Sequence, residues 1–473
     1  MYDVVIGLEV HCELSSNSKN FSGARNGYTE EPNTQVSTID LGFPGILPFV
    51  NKQAVINSVK VAMALNCKVP SKMMFDRKNY FYPDLPKGYQ ITQTTEPVGR
   101  NGYVMIEVDG VTKKIDILDT HLEEDTANME HISNYSLINY NRCGVPLLET
   151  VTEPCLSSSK EAIAFLEAYR TILLYLGVSE ARADRGQIRC DVNISLKPKG
   201  SEKLGVRTEM KNINSFNNVK LAIESEIRRQ TEILENGGEI HQETRRYDEV
   251  NDCTYLMRSK EDALDYKYYV EPNIPPVPLT DEFLNEIRES IPMLRYDRIQ
   301  KYINEYNLTE VEANTLTREK NISDYFEECL KLGLPPKTTA NWLTGPILSF
   351  LNKEEVAIDD IYLTPSLLKE LVTMQEEGKI SSKQAREVLE KVLEDKKEPS
   401  KVVEELGIKQ IGDDNTIREI VIRLLDEHND LIEEYKKGRN VFNFFVGSVM
   451  KETKGQANPA MTAKIVKEEI EKR

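Results

Sequence analysis

From Val4 to Leu14 the chain alternates, with Val4, Ile6, Leu8, Val10, Cys12 and Leu14 on one side. Glu9, His11 and Glu13 occupy the other, and Val5 is the only apolar intruder there. A period of two over that length predicts a half-buried strand. Same-face neighbours on a strand sit roughly 7 Å apart, so Glu9 and His11 are placed to share one metal or one phosphate. The plainer reading of the same spacing is a solvated face on an edge strand.

Further along, Ser15 to Pro48 is rich in turns, with Glu31-Pro32-Asn33 and Gly42-Phe43-Pro44-Gly45. Apolar Val55, Val59, Ala62 and Met63 predict a helix over 51–66. The aromatic stretch 79–93, broken by Pro83, Pro86 and Gly88, reads as a rigid loop that lines a cleft or packs on the surface. Residues 103–108 and 111–118 predict two strands around the turn Asp109-Gly110. The second runs into a crowded segment, 120–131, holding His121, Glu123, Glu124, Asp125 and His131. Next, 141–154 sets Glu149 and Glu153 beside an apolar run. Like charges gathered near a cleft are unfavourable unless a cation or proton is shared.

Serines at its start, a stripe of Ala162, Leu166, Tyr169, Leu173 and Leu176, and a closing Gly177 predict a helix over 157–177. Strict alternation returns over 188–197, with Arg189, Asp191, Asn193 and Ser195 on the polar side. It recurs over 206–211, where Arg207, Glu209 and Lys211 share a face, so the two segments read as a hairpin. An amphipathic helix is expected over 218–236, closed by Gly237-Gly238. The proline-rich 271–279 marks the end of a first domain, and helical patterns dominate beyond Asp281, with turn signals that include Gly345-Pro346. The last stretch carries Lys436, Lys437, Arg439, Lys451, Lys454 and Lys464, the best candidates for a nucleic-acid contact.

Composition narrows the picture. At 473 residues the chain is long enough for about three domains. Its 77 Asp+Glu against 60 Lys+Arg give a formal charge of −17, which disfavours bulk binding to nucleic acid or anionic membrane but leaves room for a local basic patch. No run approaches a membrane span, and no secretory signal is visible. The seven scattered cysteines lack a CxxC pair, which suits free thiols in a reducing cytoplasm. Neither a P-loop nor a GxGxxG cradle nor a GxSxG elbow is present. Metal-assisted carboxylate chemistry is the most economical reading that remains. Mg²⁺ prefers oxygen ligands, and a histidine in the shell leaves Mn²⁺ or an outer-shell role open.

The segments VIGLEVHCEL, YFYPDLPKGYQITQ, HLEEDTANMEH, GVPLLETVTEP, RCDVNISL, RTEMKNINSF and MRSKEDALDY together resemble the B subunit of the glutamyl/aspartyl-tRNA amidotransferase. The stretch FNFFVGSVMKETKGQANP (442–459) looks like that family's C-terminal domain, so the resemblance covers nearly the whole chain. The large insertion of the archaeal branch is lacking, so the bacterial or organellar form fits better.

The resemblance implies ATP-dependent phosphorylation of the side-chain carboxylate of Glu or Asp misacylated on tRNA(Gln) or tRNA(Asn). Ammonia from an amidase A subunit then displaces the phosphate, and a small C subunit braces the pair in a heterotrimer. It also implies that Glu9, His11, Glu124 and Glu149 form the catalytic site, with His11, Glu124 and Glu149 on the metal, and His121, Glu123 and Asp125 as neighbours. Arg189, Asp191, Glu209 and Lys211 match positions lining the ATP or the aminoacyl end. Many family members hold zinc through two cysteine pairs after the first strand; here that loop has no cysteine, so zinc is not expected. Cys143 stands where a small hydroxyl residue is usual.

The fold expectation is α+β. A mixed, mainly antiparallel, cradle-like catalytic domain over 1–292 is followed by a helical domain, 293–405, and a helical tail for tRNA recognition, 406–473. Two rivals stand beside the leading function. One is a non-catalytic tRNA-binding scaffold, against which the retained Glu9, His11, Glu124 and Glu149 speak. The other is a ligase for a small carboxylic acid, which has no need of the helical tail.

Overall fold

The strand expected at the N-terminus is β1 (Tyr2–Glu13), and in the computed structural model it is an inner strand. Residues 2–213, 215–259, 265–408, 414–429, 431–432, 442–453, 457 and 459–473 are described. After β1 come β2 (Lys72–Met73), β3 (Asp76–Asn79), β4 (Tyr89–Thr92), β5 (Gly99–Val108) and β6 (Val111–Glu124). Then follow β7 (Asn128–Ile132), β8 (Tyr135–Asn139), β9 (Pro146–Thr152), β10 (Ile188–Pro198) and β11 (Thr208–Ile213). The last are β12 (Glu243–Asp248), β13 (Cys253–Ser259), β14 (Tyr269–Val270) and β15 (Val277–Pro278).

Eight of these strands form one sheet in the order β13-β12-β11-β10-β1-β9-β6-β5. Its pairs are antiparallel except β11 with β12. A parallel pair needs a long crossover, and helix α3 (Phe216–Glu235), the third of the chain, supplies it. The two helices before it are α1 (Lys52–Ala64) and α2 (Ser159–Leu176). Ser158 caps α2 by accepting from the Glu161 backbone N–H, and Gly177 ends it at φ 65° in the left-handed region. One face of the sheet carries Ile6, Leu8, Val10, Leu148, Val192 and Ile194 into a core with Val59, Phe165, Tyr169 and Ile223 of the helices. Burying that face leaves the alternate residues to form a polar surface.

Two departures from the expected elements matter for the site. β6 does not end near Leu118 but runs on through the acidic segment to Glu124. A register shift between Ile117 and Asp119 changes which residues face the core, from Ile115 and Ile117 before it to Thr120 and Leu122 after it. Asp119, His121 and Glu123 are thereby set on the polar side. The stretch 79–93 is likewise not all loop, since β3 and β4 pair across it.

The first compact unit is Met1–Tyr296. The proline-rich 271–279 lies inside it: β15 pairs with β2, and the following helix, Asp281–Glu289, sends Ile287 into the main core. The second unit, Asp297–Arg473, is helical among its described residues. One of its cores gathers Tyr302, Phe326, Trp342 and Leu389, and another gathers Ile417, Leu425, Phe445 and Val466. Gly345-Pro346, expected as a turn, sits within a continuous helical path. A π-helical turn at Leu343–Ile347 accommodates the proline, which has no N–H to pair. Together the sheet and the helices make the fold α+β.

Candidate active site on the polar face of the sheet

Cross-strand register assembles the site. Glu9 lies opposite Asp191 and His11 opposite Arg189 on one side of β1, while His11 lies opposite Glu149 on the other. His121 is opposite Glu149 from β6, and Asn193 opposite Glu209 from β10. Directly opposed side chains on one face are close enough to interact, so a row of titratable groups crosses five strands.

At its centre Glu149 Oε2 is 3.2 Å from His11 Nε2 and 3.3 Å from His121 Nε2. The other ring nitrogen of His121, Nδ1, is 2.9 Å from Asp119 Oδ1. Glu123 Oε2 completes the group at 4.0 Å from His121 Nε2. Burial disfavours an imidazolium at His11 and His121, but Glu149 outweighs it and both pKa values are raised. Burial would also raise Glu149; His121 and His11 hold it well below the usual carboxylate range instead. Glu123, pushed up by burial and by Glu149, is raised. The cluster binds charge and protons together, and a cation entering it competes for the same atoms.

Toward β11, Asn193 Nδ2 donates to Glu9 Oε1 at 2.8 Å. Lys211 Nζ is 3.3 Å from Asp191 Oδ2 and 3.0 Å from Glu209 Oε1, while Thr244 Oγ1 donates to Glu209 Oε2 at 3.0 Å. Burial works against the Lys211 ammonium, yet Asp191 and Glu209 raise its pKa. Burial and Glu149 raise Glu9. At the other end of β1, Arg189 Nη2 and Arg142 Nε lie 2.9 Å and 3.5 Å from Asp125 Oδ2. Glu13 sits beside them, its carboxyl pushed up to about 7 by burial and then by Asp125.

Among the described residues, two groups have donor sets that could hold a metal ion. His11, Glu123 and Glu149 form one, and Glu9, Asp191 and Glu209 the other, each with one ligand atom per residue within 4.8 Å of the others. The all-carboxylate set fits Mg²⁺, and the set with an imidazole fits Mn²⁺ as well. His11 and Glu149 are brought together as the sequence suggests. Glu124 is not beside them: it falls on the core side of β6, its Oε1 held by Lys87 Nζ and by the Ile91 N–H at 3.0 Å. His121 and Glu123 take that place.

The cysteine-free loop after β1 is anchored by the buried Lys19–Asp40 pair at 3.3 Å and by Asn20 Nδ2 on the Glu123 carbonyl at 2.9 Å. Cys143 is buried with its Sγ 3.6 Å from the Asp40 carbonyl. Of the basic residues near the C-terminus, Lys451 and Lys464 are exposed on helices. Lys436, Lys437, Arg439 and Lys454 lie outside the described residues.

A helix-backed sheet whose open face concentrates carboxylates, imidazoles and paired cations has the make-up of a catalytic domain's site. Residues 4–285 match the family described as the GatB/GatE catalytic domain, and residues 324–470 match the GatB domain. The B subunits of the aspartyl/glutamyl-tRNA(Asn/Gln) amidotransferases of Geobacillus kaustophilus (strain HTA426) and Geobacillus thermodenitrificans (strain NG80-2) are each 47% identical over 474 residues, covering 100% of both chains. The protein of that name in Bacillus mycoides (strain KBAB4) is 47% identical over 472 residues, covering 100% of this chain and 99% of its own. The chain belongs to the family of tRNA-dependent amidotransferase B subunits.

Proposed function

We propose that this chain uses ATP to activate the side-chain carboxylate of Glu or Asp esterified to tRNA(Gln) or tRNA(Asn), for conversion to the amide. The observation that carries the reading is the row of paired charges on the polar face: His11, His121, Glu123 and Glu149 beside Glu9, Asp191, Glu209 and Lys211.

A carboxylate resists attack by ammonia because its carbonyl is electron-rich and oxide is a poor leaving group. Transfer of the γ-phosphoryl group to a carboxylate oxygen forms an acyl phosphate and releases ADP. Ammonia then adds to the acyl carbon, and phosphate departs with that carboxylate oxygen. Positioning and charge compensation dominate such transfers. Lys211, fixed by two carboxylates, and Arg189, fixed by Asp125, present cations toward the anionic substrates without needing to reorganise. His11, Glu123 and Glu149, and separately Glu9, Asp191 and Glu209, would hold divalent cations. Mg²⁺ or Mn²⁺ there would supply neutralisation of phosphoryl charge. Asp119 on His121 Nδ1 directs the Nε2 of that ring toward Glu149.

The partners in this reading are an amidase A subunit that supplies ammonia, a small C subunit, and the misacylated tRNA. The test is a purified complex given glutamine, ATP and misacylated tRNA. Expected is ADP formation that requires misacylated tRNA and matches the amide produced. Amide formed without ATP, or tRNA bound with neither ADP nor amide formed, overturns the proposal in favour of another mechanism or a binding scaffold.

A further inference from the structure

Three tyrosines of the first unit form a chain of ring contacts, and the middle one has a lysine beside it. Tyr80 directly follows β3, while Tyr266 and Tyr268 precede β14, which pairs with β3. The ring centroids of Tyr80 and Tyr266 are 6.1 Å apart at 75°, and those of Tyr266 and Tyr268 are 6.2 Å apart at 69°. The segment is pinned: the Asn79 N–H donates to the Tyr266 carbonyl at 2.9 Å, and Asn79 Nδ2 to the Lys267 carbonyl at 2.8 Å. Lys267 between them has φ 43°, a conformation that a non-glycine residue keeps only when its surroundings enforce it. Tyr80 and Tyr266 are half-buried rather than sealed in the core. Tyr268 is 47% exposed, and Phe81 next to Tyr80 is 92% exposed.

Lys78 Nζ lies 5.1 Å from the Tyr266 ring centroid. Burial works against its charge, but Glu123, Tyr268 and Glu149 outweigh that and raise its pKa. Aromatic faces in the open beside a fixed cation are what stacking recognition of a nucleobase uses. A loop held by its own packing would have buried them.

We propose that Tyr266 and Tyr268, buttressed by Tyr80, form the stacking subsite for the adenine of a nucleotide substrate, with the Lys78 ammonium beside the Tyr266 ring. This rests on the proposed ATP-dependent activation of an aminoacyl-tRNA, which brings adenine in from two sources: ATP itself and the 3′-terminal adenosine of the tRNA.

The test uses the full-length chain assembled with its partner subunits, and 2-aminopurine, whose fluorescence falls on stacking. One arm supplies 2-aminopurine riboside triphosphate with Mg²⁺; the other supplies tRNA ending in 2-aminopurine. Expected is saturable quenching in one arm, which identifies the source of the base. Tyr268→Leu should raise Kd in that arm by about 5- to 150-fold, the range for one lost base–aromatic stack. Tyr268→Phe, which keeps the ring, should stay within about 2-fold of wild type. No quenching in either arm, or Tyr268→Leu equal to wild type, overturns the inference. ADP formation with misacylated tRNA is scored separately. If it occurs without quenching, the stacking subsite fails and the activation reading stands; quenching without amide formation gives the reverse.

Discussion

Asp76 offers the sharpest test of how the site is supported. It is 1% exposed, on β3, and its carboxylate collects four hydrogen bonds from the bend that follows β4. The Thr94 and Thr95 N–H groups donate to Oδ2 at 2.7 and 2.8 Å, Thr94 Oγ1 to Oδ2 at 2.9 Å, and Thr95 Oγ1 to Oδ1 at 2.8 Å. Burial alone would raise this carboxyl; the bonds from Thr95 and Thr94 outweigh it and lower the pKa. Asp76→Asn keeps the shape but removes the charge, and sets an amide NH₂ against hydroxyl or N–H donors. A bond to a charged acceptor contributes roughly 1 kcal/mol more than a neutral one, so weakening three of the four costs about 3 kcal/mol. That corresponds to a fall of roughly 5–10 °C in the melting temperature of the first unit. The sign with pH follows from the depressed pKa. The contribution is complete above the unfolded value of about 3.9 and is lost as pH falls through the folded value. Near-UV circular dichroism melts of wild type and Asp76→Asn should therefore differ most at pH 7 and converge as pH is lowered toward 3. Equal stability at pH 7, or a gap indifferent to pH, refutes the reasoning. Because Lys78 shares β3, amidation should weaken in the variant as well.

Glu149→Gln keeps the shape but loses the charge that holds His11 and His121. Complex carrying it should lose ATP-dependent amidation by about 10²- to 10³-fold, as for one lost charge-stabilising group, while its glutaminase partner still hydrolyses glutamine; a wild-type amidation rate contradicts the assignment. Elemental analysis of the purified chain should find no stoichiometric zinc, since the loop after β1 offers no thiolate; one tightly held zinc per chain would contradict that. Removing residues 406–473 should weaken tRNA binding and flatten its salt dependence by about one unit of slope for each phosphate no longer bound. A folded truncation with unchanged affinity and slope would remove the tail from tRNA recognition.

Much of this arrangement is legible in the sequence because burial on one face imposes a period of two. β1 and β10 are read almost to the residue, and with them the polar identities of Glu9, His11, Arg189 and Asp191. What alternation within one strand does not encode is register between strands. Nothing local says that Glu149 meets both His11 and His121, or that Lys211 sits between Asp191 and Glu209. β6 is harder to read. Its bulge between Ile117 and Asp119 moves the core-facing set from odd to even positions, so a motif-based choice of Glu124 points into the sheet's supported side, and Glu123 onto the open one. The signal is present in the apolar pattern Ile115, Ile117, Leu122, whose change of parity requires one extra residue. β12 and β13 carry too mixed a pattern, with Tyr255, Leu256 and Met257 all exposed, to be read as strands without their partners.

Activation of the side-chain carboxylate as an acyl phosphate sends one of its oxygens out with phosphate, and the path of that oxygen tests the mechanism most directly. Misacylated tRNA is prepared with ¹⁸O in both side-chain carboxylate oxygens and converted by the complex with ATP and glutamine. The products, inorganic phosphate, ADP and any AMP, are then analysed by mass spectrometry. Displacement of phosphate by ammonia must leave one labelled oxygen in inorganic phosphate for every amide formed, with none in ADP and no AMP. Amide formation that leaves the phosphate unlabelled, or that places the label in AMP, would contradict the acyl-phosphate route.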